Sequence, residues 1–157
     1  MHGPDTSQHW RHTHMGTLMS RALNRFDARV LSLMARNVDV PLALSNLAAR
    51  GQLTAAHVQI TRHLPEQGAR LTELAIRADI TKQAMGKLVG QCEAWGLVYR
   101  TRDPLDARAR TVRFTPVGLA WLSAFQEAVA QAEDEMRQAV GPEVTTVIAL
   151  GLEAYVA

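Results

Sequence analysis

The chain has 157 residues, of which 47% are hydrophobic, with a formal net charge of +2 and a sequence pI of about 9.1. This length fits one domain, or one small domain with helical extensions. No apolar run approaches the ~18 residues of a membrane span, so the sequence excludes a transmembrane protein, and we expect no membrane partner. The single cysteine excludes an intramolecular disulfide, and the polar first sixteen residues do not resemble a secretory signal. We therefore expect a soluble protein of the cytoplasm.

The charges are unevenly distributed along the chain. Residues 1–64 carry a net charge of +4, residues 65–118 carry +3, and residues 119–157 carry −5. Such segregation can arise by chance. It also favours an arrangement in which the basic part meets a polyanion and the acidic C-terminal part does not.

The N-terminal part of the chain is predicted to be a tail followed by a long helix. Residues 1–16 hold four of the six histidines and show no periodicity, which predicts a flexible tail. From Thr17 onwards, apolar residues recur every three or four positions, as on one face of an amphipathic helix. This stripe consists of Leu18, Ala22, Phe26, Val30 and Leu33. Asp39-Val40-Pro41 then interrupts the helix, because proline disfavours helix in the residue before it and lacks an amide donor.

Four shorter helices are predicted next. Their ranges are Leu42–Arg50, Thr54 to about Leu64, Thr72 to about Asp79, and Thr81 to about Trp95. Each of the last three starts at a threonine that can cap a helix N-terminus, and Gly51 and Gly96 are suited to helix C-termini. The last helix is predicted to bury a stripe of Ala84, Leu88, Cys92 and Trp95.

The residues after Gly96 change in character. Residues 97–102 and 110–115 are β-branched and aromatic runs that flank a turn-rich, charged segment, which predicts a β-hairpin. Thr115-Pro116 then begins a long helix, because proline is favoured at the first helical position. That helix ends near Val140 at Gly141-Pro142, and a last short helix follows. The apolar stripes of these two helices are Leu122, Phe125, Val129, Ala132, Met136 and Val140, and then Val144, Ile148 and Leu152.

Two short helices joined by a tight turn and followed by a hairpin describe a winged helix-turn-helix. In that architecture the second helix enters the DNA major groove, and the hairpin, or wing, reaches a neighbouring minor groove or the backbone. The outer face of the second helix carries Lys82, Gln83, Gly86, Lys87 and Gly90, and the hairpin carries Arg100, Arg102, Arg108, Arg110 and Arg113. Lysine and glutamine can bind base edges or phosphates, and arginine suits a narrow minor groove. The alternatives are an ordinary solvated helix face and a hairpin edge protected from aggregation.

The segment from Leu71 to Thr115 resembles the MarR-type family of bacterial transcription regulators. The resemblance is carried by Leu71-Thr72-Glu73-Leu74-Ala75, by Ile80-Thr81-Lys82-Gln83-Ala84-Met85, and by Gly96-Leu97-Val98. The most specific part is the wing, in which Asp106, Arg108, Val112, Phe114 and Thr115 follow the family pattern D-x-R-x-x-x-V-x-L-T with phenylalanine for leucine. Gly86 and Gly90 depart from the family, which usually has a small hydroxyl residue and an acidic residue at these two positions.

This resemblance implies a fold that is mainly α with a small β-hairpin, namely a winged helix-turn-helix with long N- and C-terminal dimerisation helices. The helical dimerisation elements would be 17–50 and 116–157, the helix-turn-helix 72–95 and the wing 97–115. The implied function is a homodimeric repressor of a near-palindromic double-stranded DNA operator. The expected DNA-binding residues are Thr81, Lys82, Gln83, Gly86, Lys87, Arg100, Arg102, Asp106, Arg108 and Arg110.

Many members of the family release DNA when a small aromatic or anionic effector binds between the dimer helices and the winged domain. The aromatic side chains that could line such a cleft are Phe26, Trp95, Tyr99 and Trp121, which could equally belong to the core.

Other signals are weaker. His9-x-x-His12-x-His14 could bind a transition metal, but a flexible tail with scattered histidines is the simpler interpretation, so we expect no metal site. Cys92 lies on the stripe predicted to be buried, where a thiol is usually inert rather than a redox sensor. We find no motif for a cofactor or for catalysis and expect no enzyme. A second hypothesis is a winged-helix module that binds protein instead of DNA, and salt dependence of binding distinguishes the two.

Overall fold

The computed structural model describes residues 9–157, and most of them are helical. The eight helices in this range are α1 (Trp10–Thr13), α2 (Met15–Met34), α3 (Leu42–Ala49), α4 (Ala55–His63), α5 (Leu71–Arg77), α6 (Lys82–Ala94), α7 (Pro116–Val140) and α8 (Pro142–Val156). The three strands are β1 (Ala69–Arg70), β2 (Val98–Arg102) and β3 (Arg110–Phe114). The predicted fold class, mainly α with a small β element, is confirmed.

Helical structure extends further towards the N-terminus than the sequence predicted. Helix α1 and the start of α2 lie within the segment 1–16 that was expected to be a flexible tail, and residues 1–8 lie outside the described range. His14 Nδ1 accepts a hydrogen bond from the Thr17 backbone N–H at 3.3 Å, which caps α2. Histidine is not among the usual capping residues, so this helix start could not be predicted from a capping pattern.

The predicted threonine caps are found at three of four positions. Thr81 Oγ1 accepts from the Ala84 N–H at 3.1 Å, Thr115 Oγ1 accepts from the Gly118 N–H at 2.9 Å, and Thr54 is the N-cap of α4. The fourth prediction was wrong, because α5 begins at Leu71 and not after Thr72. A carboxylate oxygen of Glu73 accepts the Arg70 backbone N–H at 3.2 Å, so the cap lies two residues earlier.

The hairpin is part of a three-stranded antiparallel sheet with strand order β1-β3-β2. Strand β1 pairs Ala69 with Val112 and Arg70 with Thr111. Gly68 leads into this strand with φ +89°, and a side chain there would come within 2.7 Å of the Val112 carbonyl oxygen. A two-residue strand is too short to give an alternating sequence pattern, which explains why it was not predicted. It joins the start of α5 to the wing.

Helices α2 and α7 pack against each other and form the part of the core that lies away from the wing. Val30 and Met34 of α2 are fully buried. The buried residues of α7 are Gly118, Trp121, Ala124, Ala128 and Ala132. The predicted stripe is thus confirmed at Ala132, whereas its other members are partly buried or exposed: Leu122, Phe125, Val129, Met136 and Val140. Small alanines allow the two helices to approach closely, and the sequence reading had favoured the larger side chains.

Helix α8 leaves this core. The chain bends by 118° between α7 and α8, and α8 has no buried residue. In the described part of the chain, no helix alone has the length and apolar character of a membrane span; α7 and α8 meet that criterion only as a bent pair.

Candidate nucleic-acid interface

The buried face of α6 fixes which of its side chains point outward. Met85, Val89 and Cys92 are at most 1% exposed, and together they anchor the helix in the core. The predicted stripe is confirmed at Cys92 only, because Ala84 is exposed while Leu88 and Trp95 are partly buried. Two apolar stripes overlap on this helix, and packing against the surrounding core buries the one that contains Met85 and Val89.

The outer face of α6 begins at its N-terminus. Thr81, Lys82, Gln83 and Lys87 are exposed, and neither lysine forms an ion pair within residues 9–157. Gly86 lies on the flank of this face and is partly buried, with Leu71 Cδ2 3.7 Å from where its side chain would begin. The first two turns of α6 thus present two cations and an amide around a position that has no side chain.

The wing tip comprises residues 103–109 and is closed by backbone hydrogen bonds. The Asp103 N–H donates to the Ala109 carbonyl at 3.1 Å, and the Ala109 N–H donates to the Asp106 carbonyl at 3.0 Å. Asp106 Oδ1 also accepts the backbone N–H of Arg108 at 3.0 Å. In the structure, the Asp106 carboxylate therefore orders the backbone on which Arg108 is carried.

Three arginines of the wing are exposed and form no ion pair in the described part of the chain: Arg102, Arg108 and Arg110. Arg102 and Arg110 are directly opposite each other in the β2–β3 register. Like charges at directly opposite positions destabilise a β-hairpin. A pair of this kind at the outer end of the sheet suits a surface that is neutralised by a bound polyanion.

Arg100 has a different environment from the other wing arginines. Its Nε lies 3.6 Å from Glu93 Oε2, and its Nη2 lies 3.5 Å from the Gly86 carbonyl oxygen. The guanidinium group therefore lies against α6, close to Gly90, where a side chain would begin 3.8 Å from Arg100 Nη2. The sequence predicts a DNA contact for Arg100, and that stays a prediction; in the structure its exposed side chain also links β2 to α6 through Glu93 and Gly86.

The structure also brings together two residues that sequence reasoning did not single out as a pair. Arg70 Nε lies 2.6 Å from Asp103 Oδ2. This contact lowers the pKa of Asp103 and raises that of Arg70, chiefly through the hydrogen bond between them. The pair is 33 residues apart in sequence and depends on strand β1, so no local pattern indicated it.

The four aromatic effector candidates have different environments. Trp121 is buried and its Nε1–H donates to Thr61 Oγ1 at 3.3 Å, and the Trp95 ring lies 4.7 Å from the His57 ring. Phe26 is half-buried on α2, and Tyr99 is exposed on β2. None of the four lines the cavity beside α2 and α3.

That cavity has a volume of about 550 Å³ and lies between α2, α3 and the start of α4. Its lining is mostly apolar, with Leu31 and Leu53 among the larger side chains. Asp27 and Arg36 bring charge to it, and the Asp27 carboxylate is paired with Arg62 of α4. The cavity thus touches both a long terminal helix and the helix that packs behind α6.

Two weaker sequence signals have clear environments. Cys92 is 1% exposed, and burial raises the pKa of its thiol to about 12. The residues of 9–157 contain no group of three or more histidine, cysteine, aspartate or glutamate side chains that could hold a metal ion. His14, one of the three spaced histidines, forms hydrogen bonds with Thr17.

A helix-turn-helix that carries a basic antiparallel wing defines the winged-helix class. Residues 52–109, from the end of α3 to the wing tip, match the model of the MarR family. The match covers the winged-helix part of the chain and confirms the resemblance to this family seen in the sequence.

One curated protein is similar to this chain over part of its length. A Thauera aromatica protein described as a transcriptional regulatory protein for the hcr operon is 29% identical over 68 residues, which are 43% of this chain and 41% of that protein. The chain thus matches about two fifths of the length of this curated relative.

Two solved structures share the fold over nearly the whole chain. The transcriptional repressor CouR, bound to a 23-mer DNA duplex, has a TM-score of 0.72 and 22% identity, covering 98% of this chain and 100% of CouR. The regulator PcaV from Streptomyces coelicolor, in complex with its natural ligand, has a TM-score of 0.63 and 16% identity. This match covers 99% of this chain and 97% of PcaV.

Proposed function

We propose that this protein is a transcription regulator that binds double-stranded DNA through α6 and the wing, and that it acts as a repressor in the cytoplasm. The observation that carries the proposal is the exposed cationic surface formed by two separate elements. Lys82 and Lys87 lie on the outer face of α6, and Arg102, Arg108 and Arg110 lie on the wing, all without an ion pair in the described chain. The similarity to a repressor bound to a DNA duplex supports this assignment.

Each expected contact has a distinct role in this proposal. Gln83 reads a base edge in the major groove, because its amide can pair in a bidentate way with adenine. Thr81, Lys82 and Lys87 contact phosphates or guanine, while Gly86 permits close approach of the helix. Arg108 enters the minor groove, Asp106 orders its backbone, and Arg102 and Arg110 contact phosphates. Arg100 contacts DNA beside α6, against which Glu93 and Gly86 hold its guanidinium group.

A homodimer accounts for the surface of the terminal helices. Every residue of α8 after Thr145 is exposed, and the exposed residues include Val147, Leu150 and Tyr155 at 60–79%. On α2, four apolar residues near its start are also exposed, although Val30 and Met34 later in the helix are buried: Met15, Leu18, Met19 and Leu23. Apolar surface of this extent is covered by a partner in soluble proteins. A second copy would place two α6 helices on the half-sites of a near-palindromic operator.

A small aromatic or anionic effector would bind in the cavity between α2, α3 and α4. The apolar lining suits an aromatic ring, and Arg36 suits a carboxylate. The similar regulator PcaV has been solved with its natural ligand. The proposed effector site therefore comprises the cavity residues in place of the four aromatic side chains suggested by the sequence.

The test is electrophoretic mobility shift with fragments of the source genome, repeated at rising salt and with candidate aromatic acids. We expect a small set of fragments to be retained, with affinity that falls steeply with salt. A protein that captures no fragment, but binds another protein through α6 and the wing with little salt dependence, would be the protein-interaction module instead.

A further inference from the structure

We propose that Arg70 is a positioning residue for the wing, because its ion pair with Asp103 fixes the wing tip relative to the helix-turn-helix. This inference rests on the proposed DNA-binding function and extends it to a residue that does not itself touch DNA.

The ion pair crosses the sheet. Arg70 lies in β1 opposite Thr111 of β3, and β3 separates β1 from β2. Asp103 directly follows β2, so the contact of 2.6 Å between Arg70 Nε and Asp103 Oδ2 spans the central strand. The Asp103 side chain is only 9% exposed, although it begins an exposed turn. An arginine that reaches across a strand to a shielded carboxylate is a specific tether rather than a loose surface pair.

Both ends of the tether are fixed by further hydrogen bonds. Asp103 Oδ1 accepts the Leu105 backbone N–H at 2.8 Å, so one carboxylate binds both Arg70 and the first turn of the wing tip. At the other end, a Glu73 carboxylate oxygen accepts the Arg70 backbone N–H at 3.2 Å at the start of α5. Glu73, Arg70 and Asp103 thus connect the first helix of the helix-turn-helix to the base of the tip that carries Arg108.

The consequence is a common orientation for the two DNA-contacting elements. Beyond the Arg102–Arg110 pair, the tip has no further β2–β3 partner residues. A bound wing must place Arg108 in register with the major-groove contacts of α6, and a free tip would lose conformational entropy on binding. Because the Arg70–Asp103 pair holds the tip in position before DNA binds, it raises the affinity for DNA without itself contacting DNA.

The direction in which Asp103→Asn changes DNA affinity distinguishes this positioning role from direct phosphate binding by Arg70. Asp103→Asn removes a negative charge beside the DNA. If charge alone mattered, this change would tighten binding, whereas loss of a positioning residue weakens it. We expect both Arg70→Met and Asp103→Asn to weaken binding of the best-retained genomic fragment by about fivefold or more. The double variant should be no weaker than the weaker single variant, because either change breaks the same tether.

Two controls complete the experiment, which is read by fluorescence anisotropy at one salt concentration. Asp79→Asn removes a negative charge from the turn of the helix-turn-helix, where Asp79 has φ +52°, a conformation that asparagine also adopts. It should leave binding unchanged or slightly tighter. The exchanged pair Arg70→Asp with Asp103→Arg should restore affinity relative to the single variants. It also tests the positioning role of Arg70 if one single variant fails to fold.

The possible failures are distinguishable. If the parent protein binds no DNA, the proposed function fails. If the parent binds and Asp103→Asn binds equally or more tightly while Arg70→Met binds more weakly, Arg70 is a phosphate contact and the positioning role is overturned. An exchanged pair that binds more weakly than both single variants would also overturn it.

Discussion

Gln83 and Lys82 lie side by side in the first turn of α6, but their chemistry predicts different effects on DNA binding. An amide that pairs with adenine contributes about 1–3 kcal/mol of discrimination, so Gln83→Ala should weaken binding and relax preference at a single base pair. Lys82→Ala should weaken binding to all sequences alike, because a phosphate contact carries no sequence information. Affinities for an operator and its single-base-pair variants measure both effects.

Gln126 provides a matched control for these two variants. It is an exposed glutamine on α7, outside the proposed interface. Gln126→Ala should leave both affinity and sequence preference unchanged. If Gln83→Ala and Lys82→Ala also behave like the parent, α6 is not the element that reads DNA.

The Cys92 thiol is predicted to be unreactive towards alkylating and oxidising reagents in the folded protein. Its thiol is buried in the core face of α6, and burial raises its pKa to about 12, so almost no reactive thiolate exists near neutral pH. Iodoacetamide at pH 8 should therefore modify Cys92 slowly in buffer and rapidly in urea, as followed by mass spectrometry. Rapid modification of the native protein, or a change in DNA affinity after mild peroxide treatment, would contradict this account.

At the scale of elements, the junction of α7 with the winged part depends on the absence of one side chain. Gly118 lies in the first turn of α7, and a methyl group there would overlap the Leu97 carbonyl oxygen. We expect Gly118→Ala to lower the free energy of unfolding by about 1–3 kcal/mol or more, because the helix must move away from β2. Chemical denaturation measures this loss.

Gly86 is the contrasting glycine, since it lies within α6 with its nearest neighbour, Leu71 Cδ2, at an ordinary contact distance of 3.7 Å. Gly86→Ala should raise the free energy of unfolding by up to about 1 kcal/mol through helix propensity. A destabilised Gly86→Ala together with an unchanged Gly118→Ala would show that the described approach of these elements is wrong.

The bidentate pair between Arg29 of α2 and Glu135 of α7 predicts a pH dependence of stability. Arg29 Nε and Nη2 lie 2.8 and 2.7 Å from the two Glu135 oxygens, and this contact lowers the pKa of Glu135. A carboxyl group with a folded-state pKa below its unfolded value stabilises the fold above the unfolded pKa of about 4.3. That contribution is lost as pH falls through the lower folded-state pKa.

Glu135→Gln should therefore be less stable than the parent at pH 7, and the difference should vanish at strongly acidic pH. Urea unfolding of both proteins across this range measures it, with Glu133→Gln as a more exposed control on the same helix. A difference that stays constant with pH would mean that packing, not the ion pair, accounts for the loss.

Local sequence signals predicted the elements well, but they did not predict contacts between distant segments. Thr81 and Thr115 are residues with strong intrinsic preferences for helix starts, so the ends of α6 and α7 were predictable. The face that α6 buries was not, because Ala84 and Met85 begin competing apolar stripes and only the surrounding core decides between them. The Arg70–Asp103 and Arg29–Glu135 pairs join residues 33 and 106 positions apart and require the fold itself.

At the scale of the whole molecule, the exposed apolar helix α8 predicts a dimer in solution. Light scattering at micromolar concentration should give twice the mass of the 17.3 kDa chain. A chain that stops at Gly141 should dimerise less and bind its operator more weakly, because two half-sites bound together gain from effective concentration. A parent protein that remains monomeric at micromolar concentration would contradict the dimer.

The most direct test of DNA binding through α6 and the wing is the affinity of Arg108→Ala at several salt concentrations. The logarithm of the parent's association constant should fall linearly with the logarithm of salt concentration, with a slope of about −0.9 for each phosphate neutralised. Arg108→Ala should bind more weakly with a slope shallower by about one, and thermal unfolding should be unchanged because the side chain is exposed at the wing tip. Unchanged affinity and slope in a normally folded Arg108→Ala protein would show that the wing does not touch DNA.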